Sequence, residues 1–164
     1  MYKIGDYVIY NQLCVCEITG EEVMLLEPFG KKNYYKLTPV FEKQNTCYYV
    51  PADYVANLRP ITSKEEAVLI LKNFEKEKVS VNNVKRSTLL TAYYKERFDN
   101  AGLRECLILL KEIHIKNQKT NKKLNETDVK YYSRAEHIVV EELSIIFNES
   151  VEVIKERLNE LLQK

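Results

Sequence analysis

The sequence predicts an α+β protein. A small SH3-like or Tudor-like β-barrel fills residues 1–60, and an all-α bundle of about five helices fills residues 61–164. Two observations predict the barrel, and a third marks its end. The runs Asn33-Tyr34-Tyr35-Lys36-Leu37 and Cys47-Tyr48-Tyr49-Val50-Pro51 are aromatic and β-branched, as strands with one buried face are. Further short apolar runs bounded by turn residues precede them. After Pro60-Ile61 the pattern changes to a helical period, and strands followed by helices argue two adjoining domains.

In order, Tyr7-Val8-Ile9-Tyr10 follows the turn residues Gly5-Asp6 as a first strand, and Asn11-Gln12-Leu13 is a bend. Cys14–Ile18 is a second strand, ended by Thr19-Gly20, and Val23–Leu26 a third. Pro28–Lys32 is a hairpin loop before a fourth strand over Asn33–Pro39. Val40–Asn45 is a polar excursion, and Thr46–Pro51 is the fifth strand. Pro51 has no N–H, so it ends that strand or lies on an edge. The two aromatic runs are read as outer strands of a barrel with one open edge. An open edge is a hazard unless it is covered or used, and here it is expected to dock a larger protein.

The helical half opens on two capping-box spacings, Thr62-x-x-Glu65 and Ser63-x-x-Glu66, ahead of Ala67, Leu71 and Phe74. A second helix is expected over about Val84–Asn100, with Leu89, Leu90, Tyr93, Tyr94 and Phe98 as its stripe and Gly102 as a left-handed C-cap. The third, Leu103 to about Lys116, is apolar nearly all round and marks the buried centre. Asn125 caps a fourth, with Asp128 at the box position and a stripe of Val129, Tyr132, Ala135, Ile138, Val139 and Leu143. Asn148-Glu149-Ser150 breaks it before a last amphipathic helix, Val151–Leu162.

Net charge is +1 over 164 residues. Residues 1–60 carry six Lys/Arg and seven Asp/Glu, and residues 61–164 carry nineteen and seventeen, so any basic footprint is a local patch on the second half. No secretory leader opens the chain and no apolar run reaches the length of a membrane span, which predicts a cytoplasmic protein with no membrane contact. Its four cysteines, Cys14, Cys16, Cys47 and Cys106, are then free thiols, without the paired spacing of a metal site. Phosphate-loop, dinucleotide, nucleophile-elbow and zinc-protease motifs are all absent. His114 and His137 stand without a partnered nucleophile. The reading is therefore not an enzyme, with no cofactor, no metal and no small-molecule substrate.

The basic set Lys116, Lys119, Lys122, Lys123, Lys130 and Arg134 has no acid between Ile115 and Leu124. It is either a solvated loop beside a helix or a phosphate-contact surface, which Lys85-Arg86 would join if the bundle brings them close. Twelve tyrosines serve core, rim or a binding face.

The segments Ile4–Tyr10, Tyr34-Tyr35-Lys36-Leu37, Val50-Pro51 and Asn57–Ile61, in that order, resemble the CarD/CdnL family of bacterial transcription regulators. So do Tyr93–Phe98, Asn100-Ala101-Gly102, Leu109–Ile113, Leu124-Asn125 and Glu141-Glu142-Leu143 in the helical half. The family's N-terminal module is shared with the transcription-repair coupling factor. The resemblance implies a Tudor-like domain bound to the RNA polymerase β subunit through a strand edge. It also implies a helical domain on promoter DNA that stabilises the open complex, and so a nucleoid-associated protein. Many members wedge a Trp into the minor groove; this chain has none, and Ser87 takes that position. The basic residue the family often places before Val-Pro is also absent, with Tyr49 in its place.

The expected polymerase contacts are Tyr35, Leu37, Tyr49 and Pro51. The expected DNA contacts are Arg86, Ser87, Lys119, Lys122, Lys123, Lys130 and Arg134. The rival readings are a protein-only adaptor, whose helical domain binds another protein, and a small enzyme.

Overall fold

A shared apolar cluster contributed by all its strands builds the first unit, Met1–Ile61. In the computed structural model, which describes residues 1–28, 30–42, 45–119 and 124–164, five strands form one antiparallel sheet. They are β1 (Tyr7–Tyr10), β2 (Cys14–Leu26), β3 (Gly30–Pro39), β4 (Tyr48–Pro51) and β5 (Leu58–Pro60), in the order β4-β3-β2-β1-β5. The α+β class is as expected. The expected small barrel with one open edge is an open sheet with two: β4 and β5 stand at opposite edges, and no pairing joins them among the described residues.

Two expected strands are one. β2 runs from Cys14 to Leu26, with its register against β3 shifting between Ile18 and Gly20. A bulge of this kind bends a strand without ending it, so Thr19-Gly20 marks a bend rather than a stop. The fifth strand, Leu58–Pro60 on β1, carries too few residues to show a period and is not among the strands predicted above.

Asn11 and Gln12 both adopt positive φ, 51° and 52°, and the N–H of Leu13 donates to the Tyr10 carbonyl at 2.8 Å. The two left-handed central residues make a tight turn, and Leu13 follows it before Cys14 pairs with Tyr10, so the loop holds three residues. One face of the sheet is the core: Val8, Cys14, Cys16, Ile18, Tyr35, Leu37, Val50 and Leu58 are buried together, edged by Tyr2, Tyr10 and Tyr48.

The second unit, Thr62–Lys164, has five helices: α1 (Lys64–Phe74), α2 (Ser87–Asp99), α3 (Leu103–Lys119), α4 (Glu126–Phe147) and α5 (Val151–Gln163). Caps set their starts. Ser63, Asn125 and Ser150 accept from the N–H groups of Glu66, Asp128 and Val153 at 3.3, 2.8 and 3.3 Å. Thr62 is not a cap; its N–H and hydroxyl both donate to Glu142 Oε1 at 2.8 Å. Asn148, left-handed at φ 52°, ends α4. Gly102 is not the expected left-handed C-cap. It opens α3 instead, accepting from Cys106 N–H at 3.0 Å while its own N–H donates to Glu105 Oε2 at 3.1 Å.

α3 is the centre, as its composition predicts, with Leu103, Leu107, Leu109, Leu110 and Ile113 all buried. Val129 and Leu89, expected on apolar stripes, are exposed. Losing a Ser N-cap costs about 1 kcal/mol. Ser150→Ala is expected to lower the thermal midpoint by that equivalent, measured by circular dichroism; an unchanged midpoint would mean that α5 contributes nothing to the cooperative unit.

Candidate functional site

Sheet order decides which strand is available. β4 is outermost, bonded to β3 on one side only. Its register puts Tyr48 and Val50 opposite Leu37 and Tyr35, and Tyr49 and Pro51 opposite Lys36 and Tyr34. Period two then sends Val50 into the core and leaves Tyr49 on the other face, 37% exposed. The Tyr48 ring meets Tyr10, with centroids 4.8 Å apart, which props the strand from beneath. Partial desolvation, and then the neighbouring Cys47 thiol, hold the Tyr49 hydroxyl above its ordinary value, so it stays protonated.

Of the four expected edge residues, Tyr49 and Pro51 stand on β4. Tyr35 and Leu37 do not belong to the edge: they lie on β3, paired on both sides there, and their side chains are buried at 3% and 0% exposure. An aromatic run reads alike on an inner and an outer strand, so the sequence did not separate them. The structure adds an arm that no local pattern announces. β2 and β3 run on past β4 as a two-stranded ribbon, Val23–Leu26 against Gly30–Asn33. Val23, Leu25 and Leu26 are exposed on it.

The helical unit carries the second surface. Arg86 stands at the N-cap of α2 with no side-chain hydrogen bond to the first turn, and that turn holds no acid. A helix start of this kind is positive, with N–H groups directed outward. Lys85, Lys116 and Lys119 line one open groove with Val79–Val84, a strap without regular secondary structure that leads into α2. Lys119, Arg86 and Ser87 are exposed around it. Lys116 is engaged, its Nζ 2.9 Å from the buried Asp128 Oδ1.

Arg134 is elsewhere. Its guanidinium lies over the Phe98 ring, 4.6 Å from the centroid, and beside Tyr131 at 5.7 Å. Phe98 is eleven residues along α2 from Ser87, about 16 Å at helical rise. Lys130, four residues before Arg134 on α4, shares its face. The expected DNA set therefore divides into Arg86, Ser87 and Lys119 at one end of α2, and Lys130 and Arg134 toward the other. Lys122 and Lys123 lie outside the described residues. Leu89, 56% exposed in the first turn of α2, is the residue the sequence reading missed; it was assigned inward because Leu90, buried beside it, fits the same stripe.

Beneath this surface is a polar network. Glu112, fully buried on α3, accepts from Asn82 N–H at 3.1 Å, Asn82 Nδ2 at 2.6 Å and the Tyr93 hydroxyl at 3.1 Å, and pairs with Arg97. Asn82 Nδ2 also reaches the Tyr94 hydroxyl at 3.1 Å, which donates to Asp128 at 2.7 Å. Burial, and then the Asp128 carboxylate, push the Tyr94 hydroxyl far above its ordinary range, so it remains a donor. The network ties the strap, α2, α3 and α4 together.

Residues 2–62 match the family model of the CarD-like/TRCF RID domain. The chain carries a CarD-like RID. The matched span coincides with the sheet unit, so β4 is an edge of an RNA-polymerase-interacting domain, and RNA polymerase is the partner class this domain implies. The chain thereby has a transcription-related role. Such domains are interaction modules rather than typical catalytic ones. No curated protein matches the chain. Among the described residues no group of His, Cys, Asp and Glu is arranged to hold a metal, and no helix is long and apolar enough to cross a membrane.

Proposed function

We propose that the RID docks the β subunit of RNA polymerase through the outer edge of β4, with Tyr49 as the side-chain anchor and Pro51 ending the paired stretch. The observation that carries this is the placement of Tyr49: an exposed aromatic residue on the outermost strand of an RNA-polymerase-interacting domain. Strand addition supplies main-chain hydrogen bonds along the edge, and the outward side chain supplies specificity. Tyr35 and Leu37 support the edge from within.

The helical unit then contacts promoter DNA and stabilises the open complex. What supports this is the cation cluster Lys85, Arg86 and Lys119 around an α2 start without acids, with Lys130 and Arg134 of α4 as a second contact, where Arg134 lies over Phe98 near the far end of α2. Phosphate contacts need no base reading, so binding is largely independent of sequence. Ser87, at the wedge position implied by the family resemblance, is too short to part base pairs. Leu89, two residues on in the same first turn, is the exposed apolar side chain at this helix start, and Leu is among the residues that intercalate at minor grooves.

A salt titration of duplex binding tests the DNA half. Each phosphate contact contributes about 0.9 to the slope of log affinity against log salt. Arg86→Gln with Lys119→Gln is expected to weaken binding to every duplex alike and to flatten the slope by about 2. An unchanged slope removes these residues from the interface. Absence of salt-dependent DNA binding by the wild type leaves the protein-only adaptor as the better reading.

A further inference from the structure

We propose that Asn82 is the positioning residue of the DNA-contact surface, acting as a latch that fixes where Lys85 and Arg86 stand; the inference rests on the DNA reading above. Asn82 touches no solvent-facing cation itself. It sits midway along the strap Val79–Val84, which has no helix or strand of its own to hold it. A segment with neither helix nor ladder bonds is held by what the side chains around it supply.

Asn82 uses both ends of its amide for this. The N–H and Nδ2 donate to the same oxygen, Glu112 Oε1, at 3.1 and 2.6 Å, and Nδ2 also reaches the Tyr94 hydroxyl. Its Oδ1 accepts from the N–H of Val84 at 3.3 Å. The first set anchors the strap to the centre of the bundle. The second is an Asx turn, which sets the direction in which the chain leaves Asn82. Lys85 is three residues on, and Arg86, with extended backbone at φ −79° and ψ 124°, begins α2. Direction and anchorage of both cations therefore pass through one residue, mostly through its side chain.

The anchor is itself rigid. Glu112 is held by Arg97 and Tyr93, and Tyr94 by Asp128, which also holds Lys116 on the groove wall. The groove is bounded on one side by Lys116 and Lys119 of α3 and on the other by the strap and Lys85. The latch sets the distance across it. Without Asn82 the same charges remain on the chain, but they must be ordered during binding, which weakens association. Only Asn has the required set: Asp would place a second carboxylate against Glu112, and Gln would move its amide one methylene beyond the Asx turn.

The test is a double-mutant cycle on the full chain, read as affinity for a fluorescein-labelled promoter duplex. Asn82→Ala is expected to weaken binding about tenfold without removing a charge. Lys85→Gln with Arg86→Gln is expected to weaken it further and to flatten the salt slope. The triple variant should bind no worse than the Lys85/Arg86 double, because the latch acts only through those two cations. Asn82→Ser, which keeps the backbone N–H to Glu112 and a short acceptor for the turn but loses the Nδ2 donor, should fall between wild type and Ala. Amide exchange over Val79–Arg86 should accelerate in Asn82→Ala while α3 stays protected. Full affinity in Asn82→Ala, or additive losses in the triple variant, would overturn the latch. Wild-type protein that does not bind the duplex would instead overturn the DNA reading, and the exchange measurement would still report whether Asn82 holds the strap.

Discussion

Replacing Glu112 with Ala is expected to cost the helical unit about 3–5 kcal/mol, the range for removing one partner of a buried charge pair. Glu112 is fully buried, and it accepts from Asn82 and Tyr93 while pairing with Arg97. Its removal leaves a half-buried guanidinium, two amide donors and a phenol without their acceptor, and a cavity where the carboxylate stood. Each unsatisfied buried donor carries a desolvation penalty of about 1–3 kcal/mol. A domain is typically stable by only about 5–15 kcal/mol, so the loss is a large share of the total. Urea unfolding followed by helix-sensitive circular dichroism should show a much lower midpoint. Glu112→Gln, which keeps the shape and one acceptor oxygen, should lose less. A loss below about 1 kcal/mol for the Ala variant would mean that the network is not a structural centre.

That network also marks the limit of what the sequence discloses. The apolar run of α3 was legible because Leu103, Leu107, Leu110 and Ile113 repeat at helical spacing. Nothing in that period announces that Glu112, between Lys111 and Ile113, points inward. Its partners come from residues 82, 93 and 97, and only the tertiary fold assembles them. The caps Ser63 and Asn125 were legible because capping is a three-residue signal, whereas Gly102 was assigned to the wrong helix because the end of α2 and the start of α3 share one turn.

The sheet tells the same story at a different range. Turn residues disclosed β1 but split β2 at Thr19-Gly20 and left β5 unread, and the order β4-β3-β2-β1-β5 is a property of pairing between distant segments. Tyr35 was therefore assigned to the edge and found inside, while Tyr49, in a run of the same composition, was found where it was expected. At the second surface, Lys119 and Lys85, the neighbour of Arg86, line one groove, but Arg134 turns to Phe98 because its cation finds an aromatic face.

The second large effect is at β4. Tyr49→Asp puts a carboxylate at the centre of the edge, where an incoming strand would strip its water. Tyr is a common interface hot spot, worth about 2 kcal/mol or more, and an uncompensated buried charge adds to the loss. The affinity for the polymerase β subunit should fall at least about thirtyfold. The core should survive, because Tyr49 points away from the face that buries Tyr35, Leu37 and Val50. Tyr48→Asp would be a poor substitute, since Tyr48 stacks on Tyr10 beneath the strand.

The measurement that tests the docking most directly is binding of the purified RNA polymerase β subunit to the immobilised full chain, wild type beside Tyr49→Asp, with the melting temperature of each taken in the same buffer. The β4-edge mechanism predicts saturable binding by the wild type and its near loss in the variant at equal melting temperature. Equal affinity of the two proteins, or no binding of the β subunit by the wild type, would contradict it.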